Sequence, residues 1–191
     1  MSKQRPEQLS QQRLVLAVVG AGTCNRALGN LAYEVGQEIA RQGAVLLCGG
    51  RGGVMERAAA GAREAGGTTV GILPGRSSYD SPPNENIDLP IFTGLGQARN
   101  QVLILSAHAV ISVGGGWGTL TEIGLAMKHV IPVVLLESWR LSHPTEHLES
   151  LLDTAESAIQ AVAMAVAAAK RAGSSRSFEH STADKNQESS A

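Results

Sequence analysis

The stretch Arg13–Gly20, RLVLAVVG, is an apolar run closed by a glycine. A strand with one wet face alternates apolar and polar residues. An uninterrupted run suits a strand covered on both faces, as in a parallel sheet. The residues that follow agree with that reading. Across 27–42 (ALGNLAYEVGQEIARQ), Leu28, Leu31, Ala32, Val35 and Ile39 fall at helical spacing, and Gly43 stops the helix.

The same unit then recurs down the chain. Ala44–Cys48 reads as a strand and Gly53–Ala65 as a helix ended by Gly66-Gly67. Thr68–Leu73 is a strand, and residues 75–88 (GRSSYDSPPNENID) form a long polar loop of a length that often serves function. Leu89–Thr93 is a short strand, Gln97–Ala107 a helix, Ala109–Val113 a strand, Trp117–His129 a helix and Pro132–Leu136 a strand. Thr145–Arg171 reads as one final Ala-rich helix. This alternation predicts an α/β fold: a Rossmann-like, doubly wound parallel sheet with helices on both faces. Residues 1–12 are expected to be a flexible arm, 13–172 a single domain and 173–191 a polar, disordered tail.

Composition limits the function classes. The chain has 191 residues, enough for one domain with a substantial core. Lys and Arg total 16 against 17 Asp and Glu, and aromatics make up 3%, so neither a basic surface nor stacking platforms advertise a nucleic-acid partner. The two cysteines, Cys24 and Cys48, read as free thiols rather than a disulfide or metal framework. The polar start lacks the apolar core of a signal peptide, and the longest uncharged apolar run, Ala158–Ala169, is too short to span a bilayer. The expectation is a cytoplasmic protein that binds neither membrane nor nucleic acid.

Right-handed crossovers put all strand carboxyl ends along one edge, where ligands of such sheets bind. Three strands end there in glycine and are followed by helices: Gly20-Ala21-Gly22-Thr23, Gly49-Gly50-Arg51-Gly52-Gly53 and Gly114-Gly115-Gly116-Trp117-Gly118-Thr119. Glycine lets the backbone approach a ligand, and the first N–H groups of a helix lack internal partners. With the helix dipole these features suit a phosphate. Gly20, Gly22, Thr23, Gly49, Gly50, Gly52, Gly53, Gly115, Gly116, Gly118 and Thr119 are therefore the expected ligand-binding residues. The loops match neither GxGxxG, since Asn25 holds the place of its last glycine, nor a Walker loop. No acidic residue ends the second strand, so the ribose contact of an NAD dehydrogenase is missing.

The segment ARNQVLILSAHAVISVGGGWGTLTE, residues 98–122, resembles the signature of the LOG family, also labelled lysine-decarboxylase-like: an Arg-Lys pair, a helix, a strand, then PGGxGTxxE. Residues 48–75 resemble its second strand, glycine loop, helix and third strand, and the resemblance covers roughly residues 13 to 137. It implies a phosphoribohydrolase that cuts the N-glycosidic bond of a nucleoside 5′-monophosphate, with Glu122 and Arg99 as catalytic residues. A carboxylate there can stabilise positive charge on the ribose, hold a hydroxyl or orient water. Arg99 can hold a phosphate or position the carboxylate. Glu122 is expected in the first turn of its helix, where a lone glutamate also simply suits the dipole. Trp117 either stacks on a base or packs over the sheet end. Arg51 and Arg76 are weaker candidates in loops at the same edge, and His108 and His129 read as structural.

Two departures qualify the resemblance: Gly114 stands for the motif's proline and Asn100 for its lysine. They make the chain similar to a divergent branch that also includes molybdenum-cofactor carrier proteins. The alternative is thus a non-catalytic carrier of a phosphorylated pterin or nucleotide. Lysine decarboxylation is not expected, because Lys128, the lysine within the folded core, lies at the far end of a helix from the glycine loop. Neither reading calls for a resident metal or cofactor. The resemblance also implies a homodimer, with the Gln97–Ala107 helix and the Ala-rich helix as candidate interfaces.

Overall fold

The computed structural model describes residues 13–142 and 151–187, with side chains as far as residue 172. The arm read at residues 1–12 lies outside the described residues. Seven strands run β1 (Val15–Gly20), β2 (Val45–Cys48), β3 (Thr68–Leu73), β4 (Leu89–Phe92), β5 (Ala109–Val113), β6 (Val133–Leu136) and β7 (Leu152–Ala155). Among the described residues five α-helices accompany them: α1 (Arg26–Arg41), α2 (Val54–Glu64), α3 (Arg99–Leu105), α4 (Trp117–Lys128) and α5 (Ala158–Gln187). All the strands pair in parallel, in the order β4-β3-β2-β1-β5-β6-β7. The doubly wound Rossmann-like architecture is the one expected.

The apolar run that began the sequence reading is explained by two covered faces. Leu16 and Val18 pack with Leu46, Cys48, Ile111, Val113, Val134 and Leu136 beneath α1, α2 and α5. Ala17 and Val19 point the other way and pack with Leu47, Ile72, Val110, Val133 and Leu135 against α3 and α4. Successive residues face opposite layers, so neither parity can be polar.

α1 and α2 approach almost to backbone contact. A Cβ on Gly36 would strike the carbonyl of Ala58, and one on Gly61 the carbonyl of Tyr33. The Arg57 guanidinium lies over the Tyr33 ring, 5.0 Å from its centre, at the rim of this contact. The close approach brings the loops after β1 and β2 side by side.

Two expectations need correction. The last helix was expected to start near Thr145, but β7 occupies Leu152–Ala155 and α5 begins at Ala158. The Ser157–Gln160 pair carried the missed signal. Ser157 Oγ accepts from the Gln160 N–H at 3.3 Å, and Gln160 Oε1 accepts from the Glu156 N–H at 2.9 Å, a variant of the reciprocal helix-start cap. The Gln97–Ala107 helix is instead a 3-10 turn, Gly96–Ala98, leading into the shorter α3. Gly96 takes a positive φ of 55°, outside the right-handed helical region. α5 continues to Gln187.

Gly36→Val is expected to destabilise the protein by about 1–3 kcal/mol or more, because rigid backbone must move. A lower midpoint of urea unfolding checks this, and an unchanged midpoint would show that α1 and α2 can separate freely.

Candidate active site at the sheet switch point

β1 is the strand at which the sheet reverses its winding: it pairs with β2 on one side and β5 on the other. Gly20 lies level with Val113, so β1 and β5 end together. The chain leaves β1 toward α1 on one face and leaves β5 toward α4 on the other. Such a divergence opens a crevice at the carboxyl ends. A cavity of about 260 Å³ occupies it.

The loop after β5 supplies one wall through Gly116, Gly118 and Thr119. Gly114 and Gly115 have φ of 58° and 121°, a turn that L side chains rarely follow. Space is open where Cβ atoms on Gly116 and Gly118 would lie. The first bond of the α4 ladder runs from the Leu120 N–H to the Gly116 carbonyl at 3.0 Å, so the amides of Trp117, Gly118 and Thr119 precede it. Ser138 anchors the turn by donating to the Gly114 carbonyl at 2.6 Å, and Ser112 Oγ lies 2.7 Å from Ser138 Oγ.

The loop after β1 supplies Gly20, Ala21 and Gly22. A Cβ on Gly20 would lie 2.5 Å from both the Val113 carbonyl and Val54, whereas Gly22 faces open space. Thr23, expected as a hydroxyl donor, is exposed and does not line the cavity. Asn25 explains this correction: its side chain accepts from the Leu28 N–H at 2.9 Å and caps α1 with the protein's own atoms.

The loop after β2 lies behind the cavity wall. Gly49, Gly50, Gly52 and Gly53 do not line the cavity; they support the residues that do. A Cβ on Gly49 would lie 2.5 Å from the Arg99 guanidinium, and one on Gly53 would strike the Ala21 carbonyl. The Gly50 N–H is 3.3 Å from Cys48 Sγ, and the Val54 N–H donates to the Ala21 carbonyl at 3.0 Å. Asn84 clamps the loop from outside, donating its N–H to the Gly50 carbonyl and its side-chain amide to the Arg51 carbonyl. The amides of Gly50 and Val54 are thus engaged within the protein. Gly115 likewise packs against the Thr119 side chain rather than the cavity.

Arg99 and Glu122 meet in the cavity as expected, and both are buried, at 9% and 7% exposure. No ion pair joins them directly. Arg99 Nη1 is buried without a hydrogen-bond partner among the described residues. Burial pushes the Glu122 carboxyl up to about 7, with Arg99 drawing it back. Burial also lowers the Arg99 guanidinium, which Glu122 opposes. Glu122 lies in the second turn of α4, not the first, so the dipole explanation loses ground to a role in the cavity. Cys48 sits beneath the pair, fully buried, its thiol pushed up to about 11 by desolvation.

Gln97, Asn100, Met55 and Ala21 also line the cavity. Only Asn100 had carried a signal, as the departure from the family's lysine. Arg51 and Arg76 do not line the cavity. Trp117 is 78% exposed and leans on Trp139, ring centres 5.4 Å apart. His108 Nδ1 accepts from the Val15 N–H at 3.0 Å, and His129 bonds Gln101, both as structural residues. Among the described residues no group of three His, Cys, Asp or Glu could hold a metal ion, and no helix is long and apolar enough to cross a membrane.

The SLOG cluster4 family matches residues 13–171. The chain belongs to that family. The molybdenum cofactor binding protein of Rippkaea orientalis is 38% identical, with a TM-score of 0.72 over 81% of this chain and 96% of that one. The molybdenum cofactor carrier protein of Chlamydomonas reinhardtii is 36% identical, with a TM-score of 0.74 over 84% and 99%. A cytokinin riboside 5′-monophosphate phosphoribohydrolase of Mycobacterium tuberculosis is 32% identical over 73% of this chain and 79% of its own length. The SLOG cluster4 chain therefore sits in a LOG-like branch that takes in molybdenum-cofactor carriers.

The raised Glu122 fixes the sign of a stability effect. Its unfolded value is 4.5 and its folded value about 7, so its contribution is full below pH 4.5 and is lost as pH rises through 7. Glu122→Gln should therefore raise stability at pH 8 by up to roughly 3 kcal/mol and change little near pH 4. Thermal melts at both pH values check this; equal shifts at the two would refute it.

Proposed function

We propose that this SLOG cluster4 protein binds a nucleoside 5′-monophosphate in the switch-point cavity and hydrolyses its N-glycosidic bond. The observation that carries the reading is Glu122, a buried carboxyl with a value near 7, sharing a cavity with an unpartnered Arg99. The free amides at the start of α4 suit the phosphate. As the C1′–N bond breaks, its electron pair leaves with the base and positive charge develops on the ribose ring. Ionised Glu122 stabilises that charge and accepts a proton from the water that adds to C1′. The base takes up a proton, and the products are free base and ribose 5-phosphate. The phosphoribohydrolase relative supports this chemistry.

Incubation with AMP and N6-substituted AMPs should release free base. Because the ionised carboxylate acts, kcat/KM should rise with pH and level off above about 7. Glu122→Gln should lower kcat about 100- to 10,000-fold. No base from any of these substrates at high protein concentration would overturn hydrolysis.

A second reading has its own observation. Gly114 holds a φ of 58°, which proline cannot adopt, so this turn cannot follow the PGG pattern of the phosphoribohydrolases. The two structural relatives above are named for binding or carrying the molybdenum cofactor. In this reading the cavity holds a phosphorylated pterin without turnover. Thermal stabilisation by molybdopterin, with no base released from nucleotides, would favour it over hydrolysis.

A further inference from the structure

The cavity carries one buried group that the proposed chemistry does not use. Asn100 opens α3 next to Arg99, is 7% exposed and lines the cavity. Its Oδ1 has no hydrogen-bond partner among the described residues. A buried acceptor without a partner costs free energy unless something supplies a hydrogen. Neighbouring Arg99 Nη1 is the complementary case, a buried donor without an acceptor. Two consecutive residues that line one cavity thus each carry a buried polar atom, a donor and an acceptor, without a partner among the described residues.

We infer that Asn100 selects the ligand, its side-chain oxygen accepting a hydrogen bond from an uncharged O–H or N–H group of the bound molecule. The inference rests on the nucleotide reading above and adds what the ligand must present near α3. A phosphate dianion or a carbonyl offers only acceptor oxygens and cannot satisfy Oδ1. Lysine, the residue of the resembling pattern at this position, offers only donors and a full charge. Asparagine removes that charge and adds an acceptor oxygen. The site therefore takes its anionic group at α4 and asks for a neutral hydrogen donor beside α3. In a nucleoside monophosphate a ribose hydroxyl or an exocyclic amine of the base meets that demand.

The test compares wild type, Asn100→Ala and Asn100→Asp by calorimetric titration in the cold, with free base assayed in the same samples to correct for turnover. The ligands are AMP, 2′-deoxy-AMP, 3′-deoxy-AMP and purine riboside 5′-monophosphate, which lacks the exocyclic amine. Wild type should bind AMP roughly five- to a hundredfold more tightly than the one analogue that lacks the paired donor. Asn100→Ala should lose that preference, and Asn100→Asp, which keeps an acceptor oxygen, should retain it. The identity of the discriminated analogue tells ribose hydroxyl from base amine. Because Oδ1 has no protein partner, Asn100→Ala without ligand should melt no lower than wild type. Equal weakening of all four ligands, no discrimination by wild type, or a large fall in the ligand-free melting temperature overturns the inference and leaves the nucleotide reading intact. If none of the four binds wild type, the nucleotide reading falls and the inference with it.

Discussion

The parallel pairing of β1 with both β2 and β5 is the constraint on which the site depends. Pairing on both edges makes β1 a central strand, and the helical layers over its two faces favour apolar residues at both parities of 15–20. It also requires the chain to leave β1 and β5 in opposite directions. The crevice between those departures is a consequence of topology, available before any particular side chain is placed. Gly20 keeps it narrow: Val113 and Val54 already fill the space a larger residue would need. Had either pairing been lost, the amides of α4 and the turn after β1 would not share a cavity.

The second glycine-rich loop shows how backbone freedom can serve a site without touching its ligand. The contact between α1 and α2 at Gly36 and Gly61 presses the turn after β2 against the turn after β1. Gly53 then passes beneath Ala21, and Gly49 leaves the room in which the Arg99 guanidinium lies. The result is a cation that is buried yet not neutralised by a protein carboxylate. Glu122 shares that dry cavity, and the same burial that raises its proton affinity reduces screening between the two groups. The cation and the carboxyl attract each other across that cavity, each opposing the shift that burial imposes on the other.

The sequence made the sheet legible because burial on both faces leaves an unmistakable apolar run in β1, β5 and β6. Arg99 and Glu122 were picked out by the resemblance to a family pattern, not by composition or periodicity. The sequence did not separate glycines that face the cavity from glycines that pack against backbone. Gly49 and Gly53 look identical to Gly116 and Gly118 in a sequence, since an absent Cβ is demanded equally by a ligand and by a neighbouring backbone. Only position in space separates the two demands. β7 was missed for a related reason: four residues of mixed burial carry no period, and the Ala-rich segment beyond them overwhelms a local reading. Asn100 was visible as a departure from a pattern, but its unused acceptor depends on what surrounds it.

The turn at Gly114 bears most directly on which chemistry this branch performs. In the phosphoribohydrolase pattern a proline ring stiffens the turn by fixing its own φ. Here the backbone is in the left-handed region, where proline cannot go, and stiffness must come from elsewhere. It comes from Ser138, whose hydroxyl holds the Gly114 carbonyl and is itself paired with Ser112 on β5. Leu28 of α1 packs where a Gly114 side chain would lie, which ties the turn after β5 to the helix after β1. A covalent restraint has thus been exchanged for a packed and hydrogen-bonded one. Such a turn can be as well defined as the proline version while presenting its amides at a different angle.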